Sequence, residues 1–305
     1  MMERRSFLKQ TSIATAAFSV LPAFETFGAS SETKKITILH TNDVHSHIEP
    51  FPASDASYAN QGGAARRLSL INRIRQENSN VLLLDAGDIF QGTPYFNFYG
   101  GELEFKLMSM MSYDAATIGN HDFDNGVEGL AKQMPNASFK MISSNYDFSN
   151  TIMEGLTKPY EIFIKDGIKI GVFGLGIQLK GLVTEALSKE TQYLDPLEIA
   201  QDMTRKLKHE EKCDLVICLS HLGYEYRFDK ISDVKLAQQT QDIDLIIGGH
   251  THTFLPKPVV LKNKIGRDVL VNQVGWAGIN LGRIDFEFST ASKESKPVDA
   301  AVITV

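Results

Sequence analysis

Ile36-Thr37-Ile38-Leu39-His40-Thr41-Asn42-Asp43-Val44-His45 begins as a β-branched and apolar run and turns without a break into polar residues. The same change recurs four more times. Val81-Leu82-Leu83-Leu84 leads into Asp85-Ala86-Gly87-Asp88, and Ala115-Ala116-Thr117-Ile118 into Gly119-Asn120-His121-Asp122. Leu215-Val216-Ile217-Cys218-Leu219 leads into Ser220-His221, and Asp244-Leu245-Ile246-Ile247 into Gly248-Gly249-His250-Thr251-His252. Runs this short are too brief for helices and read as buried strands. Amphipathic stretches lie between them, at Ala64–Gln76, Glu102–Met111 and Leu197–Glu211. Strands alternating with helices predict an α/β domain. Ligands in such domains collect beyond the carboxyl ends of strands, where all five polar clusters fall.

The pattern changes toward the C-terminus. Asp268–Gln273 and Asn280–Phe288 read as strands with Gly275–Gly278 between them, which predicts an antiparallel hairpin with Trp276 in its turn. Ser289–Pro297 is polar and reads as a surface linker, with a last short strand at Ala300–Val305. There is no internal repeat and no low-complexity block.

The 305 residues are 43% hydrophobic and carry a formal charge of -6, enough for one large globular core. A mildly acidic chain lacks the concentrated basic face that a nucleic acid duplex requires, so a small phosphorylated substrate is expected instead. At the N-terminus, Arg4-Arg5-Ser6-Phe7-Leu8-Lys9 precedes a weakly apolar stretch from Ile13 to Phe24. A basic start before a short apolar run is an export signal, too short to span a bilayer permanently. The paired arginines resemble a twin-arginine signal over residues 1–29, which implies a folded, metal-loaded cargo delivered to the periplasm. Cys213 and Cys218 are the only cysteines. Cys218 reads as a small buried hydrophobe, and a disulfide between the two is left open.

The polar clusters carry the chemistry. Asp43 and His45 are separated by one residue, as are His250 and His252; such pairs point the same way in extended backbone and can converge in a loop beyond a strand. With Asp88, Asn120 and His221 they make seven candidate ligands. Imidazole and carboxylate suit zinc, manganese, iron or cobalt, and Asn120 adds a harder amide oxygen. Seven ligands fit two ions better than one, and two ions about 3.5–4 Å apart can clamp an in-line phosphoryl displacement. Taken singly, each residue has a plainer reading: a lone His at a strand end is more often a structural hydrogen-bonder, and a lone Asp a turn or cap residue. His40, His47 and His209 stay in that plainer class, and Asp85 reads as a support for its loop. The conjunction decides, because five of the eight histidines share the same strand-end placement.

These motifs resemble the calcineurin-like metallophosphoesterases, and more narrowly the catalytic domain of the 5′-nucleotidase family. The resemblance runs in order through Thr37 to Ser46, Asp85-Ala86-Gly87-Asp88, Gly119-Asn120-His121-Asp122-Phe123-Asp124, Ser220-His221-Leu222-Gly223 and Gly249-His250-Thr251-His252, covering Ile36 to about Phe288. It implies a four-layer α/β/β/α sandwich with two packed mixed sheets, in one catalytic domain over residues 34–305. It also implies the sharing of two divalent ions. Asp43, His45 and His252 would hold one, Asn120, His221 and His250 the other, and Asp88 both, with a hydroxide beside it as nucleophile. His121 resembles the family residue that faces the phosphoryl group and protonates the leaving oxygen, and Asp124 the partner that orients it. Asn120 counts with them in the catalytic set.

Family members carry a second, C-terminal domain that grips the nucleoside by aromatic stacking. This sequence ends soon after the last expected catalytic strand, so a separately encoded substrate-binding domain is an expected partner. Tyr95, Phe96, Phe98 and Tyr99 form an aromatic patch near the expected site, with loop packing as its foremost role. The expected activity is 5′-nucleotidase-type phosphomonoester hydrolysis. The alternatives are a 2′,3′-cyclic nucleotide, a nucleotide sugar or a sulfur ester as substrate, or a non-catalytic metal-binding scaffold in the periplasm.

Overall fold

Alternation along the strands builds two sheets. A computed structural model describes residues 33–289 and 295–305, so the expected signal at residues 1–29 lies outside the described residues. In chain order the strands are β1 (Thr33–Thr41), β2 (Val81–Asp85), β3 (Ala115–Ala116), β4 (Lys140–Met141), β5 (Tyr146–Asp147), β6 (Tyr160–Lys165) and β7 (Ile168–Leu175). Then come β8 (Gln192–Tyr193), β9 (Leu215–Ser220), β10 (Leu245–Gly248), β11 (Val259–Lys262), β12 (Asp268–Asn272), β13 (Asn280–Ser289) and β14 (Ser295–Thr304). The helices are α1 (Ala64–Glu77), α2 (Pro94–Tyr99), α3 (Glu102–Met110), α4 (Gly126–Gln133), α5 (Glu185–Ser188), α6 (Pro196–Arg205) and α7 (Asp233–Gln239). One sheet runs β14-β13-β1-β2-β3-β4, the other β11-β12-β10-β9-β7-β6, and β5 pairs with β8.

Three apolar layers glue four structural ones. Residues two apart on a strand share a face, so Ile36, Ile38, Leu82 and Leu84 meet Leu215, Ile217, Leu245 and Ile247 between the sheets. The intervening Leu39 and Leu83 face the other way and pack with Ile71, Ile74, Phe105 and Leu130 of α1, α3 and α4. Val216, Cys218 and Ile246 pack outward against Ala200, Leu236 and Ala237 of α6 and α7. The result is the four-layer α/β/β/α sandwich with mixed sheets. Parallel pairing of β1 with β2, β2 with β3, β7 with β9 and β9 with β10 sets their carboxyl ends along common edges.

The expected C-terminal hairpin does not form. β12 pairs with β10 and β11 in one sheet, while β13 pairs with β1 and β14 in the other. Residues 273–279 cross between the sheets, because each strand gains more ladder from those partners than from its neighbour in sequence. The Asn42 side chain holds this crossing, accepting from Val274 N at 3.0 Å and donating to Gly275 O at 2.6 Å. The polar tail is also not all linker: β14 starts at Ser295 and is ten residues long. β6 and β7 form a further antiparallel hairpin. Its turn is Asp166-Gly167, both at positive φ (50° and 79°), as a two-residue hairpin with matching twist demands. The Leu197–Glu211 stretch begins at Pro196 behind an Asp195 cap that accepts from Leu197 N and Glu198 N, then widens into a π-turn at Lys206–Glu210. Both cysteines are free and buried. Among the described residues, no helix is long and apolar enough to cross a membrane.

Candidate metal centre

The ligand-bearing loops are held in unusual backbone. Asp43, His45, Asp88, His250 and His252 all sit at positive φ, at 50°, 50°, 55°, 70° and 51°. Left-handed non-glycine residues cost on the order of 1–3 kcal/mol each, and such strain gathers at functional sites. It also corrects the geometric reading: a left-handed turn, not extended alternation, brings Asp43 and His45 together, while His250 and His252 divide between two ligand groups. Backbone bonds lock the turns, from Asp43 N to Gly87 O at 2.9 Å, from His45 N to Asp88 O at 3.0 Å and from Ala277 N to Asp43 O at 2.7 Å. Asp43 in turn accepts His250 N–H on its carboxylate at 3.0 Å. Gly119 has to be glycine, since a Cβ there would overlap Asp88 Oδ1.

Two groups result. Asp43, His45 and His252 bring their ligand atoms within 4.8 Å of one another, and so do Asp88, His221 and His250. Asp88 Oδ2 touches both, 3.0 Å from His221 Nε2 and 3.7 Å from His45 Nε2. Asp43 Oδ1 lies 3.4 Å from His252 Nε2 and 4.0 Å from His221 Nε2. Asn120 Oδ1 is 2.8 Å from His250 Nδ1. All seven sequence candidates therefore meet in one cluster built from five loops.

The residues fit divalent cations. His221 Nδ1 bonds Ala86 O at 2.7 Å, which turns Nε2 into the cluster. That Nε2 is buried and has no hydrogen-bond partner, lying near Asp88 but off the line of a bond. An unpaired buried polar atom is costly, and a cation satisfies it. His45 Nδ1 bonds Phe90 O at 3.2 Å, which points its Nε2 at His252 Nε2, 3.0 Å away. Carbonyl contacts of this kind fix ligand tautomers. Burial opposes the Asp88 charge, yet His221, His45 and His121 hold its carboxyl well below the ordinary range. Burial likewise opposes a charged His221, but Asp88 and Asp43 push it up to about 10. An entering cation would compete there with a proton.

His121 stands at the open side, its side chain 39% exposed. Its Nδ1–H donates to Asp124 Oδ2 at 3.0 Å, and this bond raises its pKa against half-burial. Its backbone N–H donates to Asp88 Oδ1 at 2.8 Å, and its ring meets His45 edge-on at 5.2 Å.

Several supporting residues had no role in the sequence reading. Asp122, inside the quoted Asn-His-Asp motif, is wholly buried and accepts the N–H groups of Asp88, Ile89, Phe90 and Gly119 at 2.8–3.1 Å. Gln273 binds Gly249 O at 2.5 Å, Thr251 Oγ1 at 3.0 Å and Thr253 N, shaping the His250–His252 loop. Asp233 accepts from Ser220 Oγ at 2.5 Å behind His221. The signal for these was a polar residue in an otherwise apolar setting, which sequence alone does not separate from an exposed one. Asp85 supports its loop, accepting from Thr41 Oγ1 at 2.5 Å and Gly87 N at 2.9 Å. His40 is buried in its strand, bonded to Asn272 at 3.0 Å and pushed down to about 3 by burial. His209 is exposed and pairs with Asp242 at 3.1 Å. In the aromatic patch, Phe96 packs on Phe90 while Phe98 and Tyr99 are exposed.

Comparison with known proteins agrees with this geometry. Residues 36–254 match the model of the calcineurin-like phosphoesterase family. The chain is 34% identical to the trifunctional nucleotide phosphoesterase protein YfkN of Bacillus subtilis, over 83% of this chain and 18% of that protein. It superposes on the crystal structure of a 5′-nucleotidase precursor from Thermus thermophilus with a TM-score of 0.81 and 34% identity, covering 89% of this chain and 55% of that one. On the crystal structure of calcineurin-like phosphoesterase YfkN from Bacillus subtilis the TM-score is 0.73 with 26% identity, covering 90% and 91%. The chain spans about half the length of the curated 5′-nucleotidases it matches. Fold, loop geometry and similarity converge: the chain belongs to the calcineurin-like phosphoesterases, a family of metal-dependent hydrolases.

Proposed function

We propose that this chain hydrolyses a phosphate monoester with two divalent ions, and that the ester is a 5′-nucleotide. The observation that carries the reading is Asp88, whose carboxylate lies within 3.7 Å of a histidine of each ligand group. Asp43, His45 and His252 would hold one ion, Asn120, His221 and His250 the other, and Asp88 both. When bound, such ions polarise phosphoryl oxygens and acidify water into a nucleophile near neutral pH. The chain's own residues do the rest. Asp124 fixes Nδ1 of His121, leaving Nε2 to carry the proton that the leaving oxygen takes. As a cation, His121 also faces the negative charge that develops on the phosphoryl group. The strained loops and their backbone bonds pre-position the ligands, so little reorganisation accompanies turnover.

Nucleotides are favoured as substrate by the names of the relatives, a nucleotide phosphoesterase and a 5′-nucleotidase precursor. The test is hydrolysis of AMP beside an aryl phosphate and an aryl phosphodiester by metal-loaded protein. Turnover of AMP and the aryl monoester supports the reading. Turnover of the diester alone would replace it with a phosphodiesterase, the cyclic-nucleotide alternative. No turnover with metals bound would leave the scaffold reading. Export through Arg4-Arg5 is a separate proposal, and replacing both by Lys should leave the protein in the cytoplasm.

A further inference from the structure

Beside the metal-ligand groups runs a wall of aromatic rings that takes no part in them. The His252 ring stacks on Trp276 at 5.7 Å and 4°. Trp276 meets His47, Phe51 and Tyr58 edge-on at 5.2, 6.0 and 6.3 Å, and Tyr58 stacks on Phe254 at 6.0 Å and 17°. Three distant segments supply these rings: the loop after β1, the loop after β10 and the crossing between the sheets.

The wall is both rigid and open. Phe254 is 42% exposed, yet its backbone pairs with Val274 and its ring lies on Gly275, where a Cβ would collide with it. Gly275 N bonds Thr253 O at 3.0 Å and Leu255 N bonds Gln273 O at 3.1 Å, tying the Phe254 strip to the crossing on both sides. Trp276 is half-buried and followed by Ala277, whose N–H is held by Asp43 O. Rings that only packed a loop would be covered, as Phe96 is at 5% exposure. A fixed, exposed aromatic ring beside a polar site is instead a surface that stands ready for a ligand without ordering cost.

We propose that Trp276 and Phe254 form a stacking subsite for a planar aromatic ring in the alcohol part of the ester, a nucleobase in the first instance. This rests on the hydrolase reading above. The wall abuts a candidate ligand, His252, and Trp276 lies two ring contacts from His45, so a phosphoryl group over the ligand cluster leaves the rest of a nucleotide beside the rings. Stacking tolerates any base, because each offers a π-face.

The chain has one tryptophan, so its fluorescence reports Trp276 alone. Titration with a non-hydrolysable methylene phosphonate of AMP should quench it saturably, and the matching phosphonate of ribose 5-phosphate, which lacks only the base, should not. In kinetics with the metal-loaded chain, Trp276→Leu should lower kcat/KM for AMP relative to ribose 5-phosphate roughly tenfold, through KM, with Trp276→Phe restoring most of it. Absence of quenching together with equal losses on both esters would reduce the wall to loop packing and overturn the subsite. That result would leave the hydrolase reading intact if either ester is turned over. Quenching without turnover of any ester would keep the subsite and sink the hydrolase reading.

Discussion

Asp122 Oδ2 accepts the backbone N–H of Asp88 at 3.1 Å. A buried carboxylate outside both candidate ligand groups thus sets the position of the one that touches both. The same side chain takes Gly119 N at 2.8 Å, stapling the loop after β2 to the loop after β3. Asp122→Ala strands four buried N–H groups, each costly to leave unpaired. The expected loss is at least about 3 kcal/mol, read as a fall in the urea midpoint. An unchanged midpoint would show that the loops hold themselves.

Asp88→Ala should lose both ions and all hydrolysis if, as proposed, its carboxylate is shared by the two ions. Metal analysis after desalting checks it. A variant that keeps two ions at full occupancy would refute the shared-ligand assignment.

His121→Ala should keep its metals while kcat falls on the order of 10²–10⁴, the range for a positioned proton donor. Asp124→Asn should lose less, because the ring keeps a partner but its proton is no longer favoured. Near-normal kcat in His121→Ala would remove it from the chemistry.

Acid should destabilise the first sheet through Asp285. Burial opposes its charge, but bonds from Arg283 at 2.9 Å and Lys35 at 2.7 Å outweigh that and lower its pKa. A carboxyl lowered by folding stabilises fully above its unfolded value of about 3.9 and loses that contribution as pH falls through the folded one. Asp285→Asn should therefore cost about 1–3 kcal/mol at neutral pH. Its deficit against wild type should shrink in strong acid. Urea unfolding at the two pH values decides; a deficit independent of pH would assign the loss to shape rather than charge.

The sequence by itself determined the α/β class and the order of the site, and the four layers followed from the family resemblance of its motifs. Short continuous apolar runs such as Leu82-Leu83-Leu84 and Val216-Ile217-Cys218 mark strands buried on both faces, and each leads into a polar cluster. Both are local properties, so Asp43, His45, Asp88, Asn120, His221, His250 and His252 could be named as candidates before any contact was known. Asp166-Gly167 is an equally local signal, for the β6–β7 turn. The rest depended on groups that meet only in the folded chain. That β12 and β13 part company follows from ladders offered by β10 and β1, not from the glycines between them. The left-handed backbone of the ligand loops is sustained by bonds such as Asp43 N to Gly87 O, which local propensity disfavours. Asp122 and Gln273 look like ordinary polar residues until burial leaves backbone groups that only they can satisfy. The wall of Phe51, Tyr58, Phe254 and Trp276 comes from segments with no common pattern, and only packing the two sheets together puts those rings side by side.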